Sequence, residues 1–583
     1  MRASVALPTT ESVTRSVALT AARAAAFAER RRWWIVGACV VGYWAFVAVI
    51  ALLTSPHNGW IYQNGDDAGW YWTSAWALSS FHLPFSAVGL AWPYLMTPFA
   101  LIFGANMASG LPAVVVLNVV VLAPAAIVGM YLLGERIAGR LFGLWAAALW
   151  VVLPSVGVLL YAGHARWVVT DAFLPTALGL NALSDFPSEV CTIFAAYLVL
   201  RTLDTGDVRD GALTGIVLGF LLLLKPSDAA LVVLAAVFLL AARKLRPLAA
   251  AGAAILPSLV ALAAWKQRGR GLLFAPATSG APHPSGGGSG PSGNTGHNGL
   301  FGHLDNAIHR LLDAPGTYLS FDWHHLNQNV QALQEVFWSV RLLEFLLIAG
   351  VIALLVRGRS RGLFVVTWFL AIALTKGASS FASVFDTSLY RYLLPAWPAW
   401  VLIVASVVFL WPRGTTSRAR AISRTIVAEW PAPPRRSLLI ASLVVLGVMP
   451  MALALGATRT PNVTIAQVNT GSLVPIVDLG LTAKQTGPHT VQLEWHRTKT
   501  RNASAVYRVF SGPTDGCVVT TDGTPRCHFH MPNMSWTSAV TAESHAPLGR
   551  VFYRVAVAAG WRFDPNSQGD LLLLSRPVTV TVR

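Results

Sequence analysis

Charge is what this chain lacks: only 12% of its 583 residues are Asp, Glu, Lys or Arg, whereas 54% are hydrophobic. Soluble globular chains carry about twice that share of charge, and a mean hydropathy of +0.55 excludes one here. Acidic residues are the scarcer sign, 26 against 43, so the formal net charge is 43 − 26 = +17. The basic surplus does not point to nucleic acid, because Lys and Arg fall in short runs between apolar segments, where they set membrane topology. Cysteine is nearly missing, four in all, which excludes a disulfide-rich scaffold. His283, His297 and His303 lie in or beside SGAPHPSGGGSGPSGNTGHNG, a run with nothing to bury and no metal-ligand spacing, so it reads as a solvated loop. There is no internal repeat of the kind transporters carry. No small-residue cleavage site follows the first apolar run, so residues 1–33, with the basic stretch Glu29-Arg30-Arg31-Arg32, read as a cytoplasmic segment ahead of an uncleaved anchor.

What the chain has is apolar runs with basic turns on alternate sides. Runs at 34–53, 111–134, 141–160, 187–202, 212–224, 228–242, 248–265, 337–356, 363–378, 391–411 and 437–456 make about eleven spans, with the N-terminus inside and the C-terminus outside. The basic turns ERIAGR, ARKLRP and RGRSRG, with the Arg-rich stretch 412–436, then share the cytoplasmic side. The uncommon polar residues Asp66, Asp67, His164, Arg166, Asp185, Lys225, Lys376 and Arg391 share the other. Two long outer segments stand out, a first loop at 54–110 and the flexible Gly-rich segment 266–336. The expected architecture is a polytopic α-helical membrane domain over 34–457 in a plasma membrane, followed by a separate extracytoplasmic domain over 458–583.

That last domain changes period, to short alternating segments broken by Gly, Pro, Asn and Asp. TVQLEW, AVYRVFSG, PLGRVFYRVAVAAG and SRPVTVTV resemble strands B, C, F and G of a fibronectin type III sandwich, with Trp495 as its core aromatic and Tyr553 near the tyrosine corner. A carbohydrate-binding jelly roll fits the same pattern. Cys517 and Cys527 lie in this domain, and an oxidising outer compartment favours a disulfide between them. Cys39 and Cys191 sit in apolar runs as small hydrophobes.

The chemistry-bearing signal is QNGDDAGWYW, where Asp66 and Asp67 precede Trp70, Tyr71 and Trp72 just after the first span. Carboxylates at membrane level are costly and mark polar, functional cavities, although a helix cap beside an interfacial aromatic belt has the same composition. A first span followed by an outer loop with an acidic pair resembles the GT-C fold glycosyltransferases, which use polyprenyl-phosphate sugars. The resemblance continues in GERIAGRLFGLWAAALWVVLPSVGVLLYAGHARW, LSDFPSEVCTIFAAYLVLRTL, GIVLGFLLLLKPSDAALVV and YRYLLPAWPAWVLIVAS, across 34–411. It implies an acidic base in the first outer loop, Asp67 rather than Asp66 by a narrow margin. It also implies basic residues on the lipid phosphate, Lys225 and Arg391, with His164, Arg166, Asp185, Glu189, Trp70, Tyr71 and Trp72 as further substrate-site candidates. Each has a plainer account: Lys225 and Arg391 as interface anchors, Asp185 as a helix cap, Lys376 paired with Asp386 across a short loop. The implied reaction is transfer from a polyprenyl-phosphate sugar to an extracytoplasmic glycan, lipid or protein, with inversion. The sequence requires no cofactor, and the acidic pair leaves a divalent cation open. The actinobacterial style of the composition suggests, by analogy alone, a mannosyl or arabinosyl donor. A lipid flippase or a non-catalytic scaffold is the competing class.

Overall fold

The computed structural model describes residues 27–53, 65–83, 89–160, 174–270, 322–336, 342–379, 388–410, 434–459, 465–468, 473–498, 505–519, 525–527, 537–559 and 571–583. Six of these stretches are long and apolar enough to cross a bilayer: Arg32–Val49, Ser109–Ala138, Asp185–Thr205, Leu245–Arg268, Leu389–Leu410 and Arg436–Gly456. Shorter apolar helices at Ala91–Phe103, Arg140–Pro154 and Pro226–Ala241 accompany them. The chain is therefore a multi-pass membrane protein.

The expected pair of spans around RGRSRG is one helical stretch, Leu342–Gly377, interrupted at Arg359 (φ 46°, ψ −120°). A Cβ on Gly362 would lie 2.4 Å from the Leu354 carbonyl oxygen. Along a straight helix eight residues span about 12 Å, so the chain doubles back there into two arms. Elsewhere small residues let helices meet backbone to backbone. Gly211, Gly215 and Gly219 recur every four residues along Val208–Leu224, and a Cβ on them would stand 2.4 Å from Pro247 O, 2.2 Å from Ala251 O and 2.7 Å from Ser258 Oγ of the Leu245–Arg270 helix.

Charges gather at the two ends of the Asp185–Thr205 helix, which is about 30 Å long. At its far end Arg136 and Arg361 pair with Asp204 at 2.9 and 2.8 Å, and Arg201 pairs with Asp210 at 2.8 Å. At its near end lies Asp185, preceded by an irregular and wholly buried stretch, residues 178–184.

Backbone without a helix in an apolar interior must find partners for its carbonyls. Side chains supply them: Tyr43 donates to Leu178 O, Asn118 to Gly179 O and Asn181 O, and Trp92 to Ala182 O at 2.7 Å. Asn118 itself lies in a π-helical segment, Leu117–Leu122, of the kind found at functional sites. Gly179 adopts φ +65° against Asn118 and Phe186, a conformation that favours glycine.

Beyond Gly456 the described elements are strands. Thr482–Gly487, Thr490–Glu494 and Thr541–His545 form one antiparallel sheet with Thr490–Glu494 in the middle. In the second, Gly549–Ala559 pairs with Ala505–Gly512, Leu571–Ser575 and Val578–Val582, and the sheet continues through Leu473–Val477 and Ile465–Val468. Alternation buries Val491 and Leu493 against Trp495, Tyr507 and Tyr553. Cys517 and Cys527 face each other on paired strands and form the disulfide expected of them.

Candidate functional site

Asp67 lies on the helix Gly65–Ser79, which follows the first apolar helix, Arg32–Leu53. Trp72, five residues after Asp67 on the same helix, is fully buried, and its indole donates to Ala105 O at 3.0 Å. Tyr71 is buried as well, and its hydroxyl shares a hydrogen bond of 2.5 Å with Ser184 Oγ, just ahead of Asp185. Burial first, then the Asp67 carboxylate, pushes the Tyr71 phenol above its ordinary value, so the hydroxyl stays protonated and the link to Ser184 is kept. These contacts seat the helix over the start of Asp185–Thr205.

The sequence ends the Val208–Leu224 helix with Lys225-Pro226. A residue before proline is biased away from helical geometry toward extended backbone, and Lys225 adopts φ −148°, ψ 94° while Pro226–Asp228 forms a tight 3-10 turn. The turn throws Lys225 toward Asp185 and Asp228 toward Ser188 and Lys376. The short helix Ser388–Leu393 presents Arg391 from the opposite side.

Four separate elements thus meet in one ionic chain. Lys225 Nζ donates to Asp185 Oδ1. Arg391 Nε reaches Asp185 Oδ2 at 3.3 Å, and its Nη2 donates to Asp67 Oδ2 at 2.6 Å. Beside it, Lys376 stands 3.0 Å from Asp228 Oδ1 and bonds Ser227, while Ser188 Oγ donates to Asp228 Oδ2 at 2.5 Å. The Tyr392 ring lies near both ammonium groups, its centroid 5.2 Å from Lys225 Nζ and 5.9 Å from Lys376 Nζ. Three carboxylates balance three cations. The members differ in access: the Asp185 side chain is 2% exposed and Lys225 11%, whereas Asp67 is 46% exposed.

Of the residues expected from sequence, Asp67, Lys225, Arg391 and Asp185 are brought together. Asp66 shares the helix with Asp67, and its side chain lies outside the described residues. His164, Arg166 and Asp386 also lie outside them. Glu189 sits apart, fully buried one turn beyond Asp185, taking the Trp150 indole N–H at 2.9 Å; its Oε2 has no hydrogen-bond partner among the described residues.

Trp70, Tyr71 and Trp72, named from the sequence as substrate-site candidates, are all buried in the structure. Trp72 has no exposed ring surface, since a Cβ on Gly110 would fall 1.7 Å from its ring. Trp70 is buried in a cluster with Ala77 and Ile465, and Tyr71 is spent on Ser184. Lys376 stands 3.0 Å from Asp228 Oδ1, while Asp386, its expected partner, lies outside the described residues.

Asp228, Ser188 and Tyr392 were missed. The signal was there in LKPSD, where an acid follows a lysine inside an apolar run, and in YRY around Arg391. Among the described residues no group of three or more His, Cys, Asp or Glu is placed to hold a metal ion.

No family model matches this sequence, and no curated protein matches it. Among solved structures the chain is similar to the oligosaccharyltransferase of Archaeoglobus fulgidus. Its complex with zinc and sulfate matches at 14% identity and a TM-score of 0.38, over 74% of this chain and 54% of that one. The apo form matches at 14% identity and 0.39, over 74% and 57%. The complex with an inhibitory peptide and a dolichol-phosphate matches at 14% identity and 0.38, over 74% and 57%. This chain spans a little over half the length of those proteins.

Proposed function

We propose that this protein is an integral membrane glycosyltransferase that moves a sugar from a polyprenyl-phosphate donor to a glycan, lipid or protein on the outer side of the plasma membrane. The observation that carries the reading is the split in access along the ionic chain. Asp67 is half exposed yet tethered by Arg391, while Asp185 is closed off between Lys225 and Arg391.

A base must touch the acceptor, and a phosphate site must gather cations. Asp67 fits the first task and Asp185 does not. Arg391 fixes the direction of the Asp67 carboxylate, which accepts the acceptor hydroxyl proton as that oxygen attacks the anomeric carbon. The bond from that carbon to the phosphate oxygen breaks, and the configuration inverts. Arg391 and Lys225 carry the charge of the departing polyprenyl phosphate, Arg391 through the paired donors suited to phosphate oxygens. Asp185 holds the two cations at one spacing before the donor arrives. Its role is positioning.

The test is transfer by the purified full chain in detergent, with a panel of mannosyl and arabinosyl polyprenyl phosphates and acceptors of each class. Asp67→Asn is expected to lower kcat by about 10²–10⁴-fold, the usual worth of a general base, with donor binding kept. Transfer by Asp67→Asn at the wild-type rate, or no transfer by wild type from any donor, would remove the reading in favour of lipid-sugar transport.

A further inference from the structure

The helix that carries Asp67 is held from two sides, and only one side belongs to the membrane domain. Three residues after Asp67, on the same face, Trp70 is buried with Ala77 against Ile465, with Trp76 packed on the group. Ile465 is the first residue of a strand in the C-terminal β region and is 3% exposed. That strand pairs with Leu473–Val477, which also packs along the Asp67 helix.

Where this helix ends the chain turns, and His82–Leu83 pairs in parallel with Thr458–Arg459 at the entrance of the β region; Thr458 N–H donates to Phe81 O at 3.0 Å. The entrance is itself fixed, because the Arg268 guanidinium donates to Ala454 O, Leu455 O and Ala457 O. An Asp67 side chain 46% exposed has little packing of its own to hold it. Its aim therefore depends on what grips the helix beneath it.

We propose that the β region is a positioning part of the active site, with Ile465, seated on Trp70 and Ala77, holding the Gly65–Ser79 helix so that Asp67 stays on Arg391. This rests on the reading of Asp67 as the base. The β region acts here through the helix, and Ile465 is a positioning residue that touches no substrate. A carboxylate displaced by about 1 Å costs a reaction up to about 10²-fold in rate, so loosening this contact lowers turnover while leaving the buried Lys225–Asp185–Arg391 group, and hence donor binding, in place.

The experiment compares wild type, Ile465→Ala, Ile465→Val and Val491→Ala, all as the full chain in detergent, by hydrogen exchange and by steady-state transfer. Val491 is buried in the other sheet, so its truncation weakens the sandwich away from the helix. Expected for Ile465→Ala is amide exchange about 10-fold faster across 65–79 than in wild type, unchanged exchange across 185–205, and kcat lower by about 10-fold with donor KM within about two-fold. Ile465→Val, which keeps the branched shape, should recover most of both.

Unchanged exchange across 65–79 in Ile465→Ala overturns the proposal. So does a Val491→Ala variant that loses as much kcat, since general weakening would then account for the effect. If wild type transfers nothing, the exchange result still decides the positioning, and only the chemical role of Asp67 falls.

Discussion

Asp67 and Asp185 carry the same carboxylate in opposite surroundings, and their substitutions should separate accordingly. Removing the charge of Asp185 leaves Lys225 without its paired carboxylate in a buried site and Arg391 with Asp67 alone, a loss of about 3–5 kcal/mol by analogy with broken buried pairs. Asp67 pairs with the same arginine from a half-exposed position, where such a pair contributes about 0–1 kcal/mol. Asp185→Asn is therefore expected to lower Tm in detergent by several degrees and Asp67→Asn hardly at all, although the second is the one expected to lower kcat by about 10²–10⁴-fold. The reverse order of Tm values would exchange the two roles. Polar residues stand out in a chain this apolar, which is why Asp67, Asp185, Lys225 and Arg391 were legible in the sequence. Their pairing was not, because Arg391 and Asp67 are 324 residues apart and each cation had several acids to choose from. The aromatic residues misled for a related reason: nothing in GWYW tells a ring that faces a sugar from one closed over Gly110.

At the scale of elements, helix ends were written in punctuation. Pro226 after Lys225 stops one helix, and the RGRSRG turn separates the two arms of Leu342–Gly377. What periodicity could not convey was the buried irregular stretch 178–184, whose carbonyls are satisfied by Tyr43, Asn118 and Trp92 from three other segments. The Gly211, Gly215, Gly219 spacing was readable as a pattern but names no partner helix. The structure supplies it, with the Ala251 carbonyl 2.2 Å from where a Gly215 Cβ would be. The obstacle is backbone, which cannot swing aside as a side chain can. Gly215→Val should push Val208–Leu224 off Leu245–Arg270 at a cost of about 1–3 kcal/mol or more, read as a lower Tm. Because Lys225 ends the displaced helix, donor KM should rise in the same variant. A Tm equal to wild type would mean that the two helices have room to part.

At the scale of the whole molecule, the two clusters of charge at opposite ends of Asp185–Thr205 assign the two faces of the membrane. Arg136, Arg201 and Arg361 gather with Asp204 and Asp210 at one end, and Arg243 lies in the exposed turn between Ala229–Ala241 and Leu245–Arg270 with Arg246 in the first turn of the second of these helices. An excess of arginine in short turns favours the cytoplasm. Asp67, Asp185, Lys225 and Arg391 occupy the other end, and the β region docks on the helix of Asp67, so site and β region must share one side whichever side that is. By the bias of arginine toward cytoplasmic turns, that side is expected to be the outer one. With Cys39 and Cys191 replaced by Ala, Glu543→Cys in the β region is expected to react with a membrane-impermeant maleimide in intact cells. Arg246→Cys is expected to react only after permeabilisation. Both positions are exposed in the structure, so a difference between them reports the side of the membrane and not burial. Labelling in the opposite order would put Asp67 in the cytoplasm, out of reach of any extracytoplasmic acceptor. The proposed reaction would then have to be given up with the orientation, while the link between the β region and the Asp67 helix would stand.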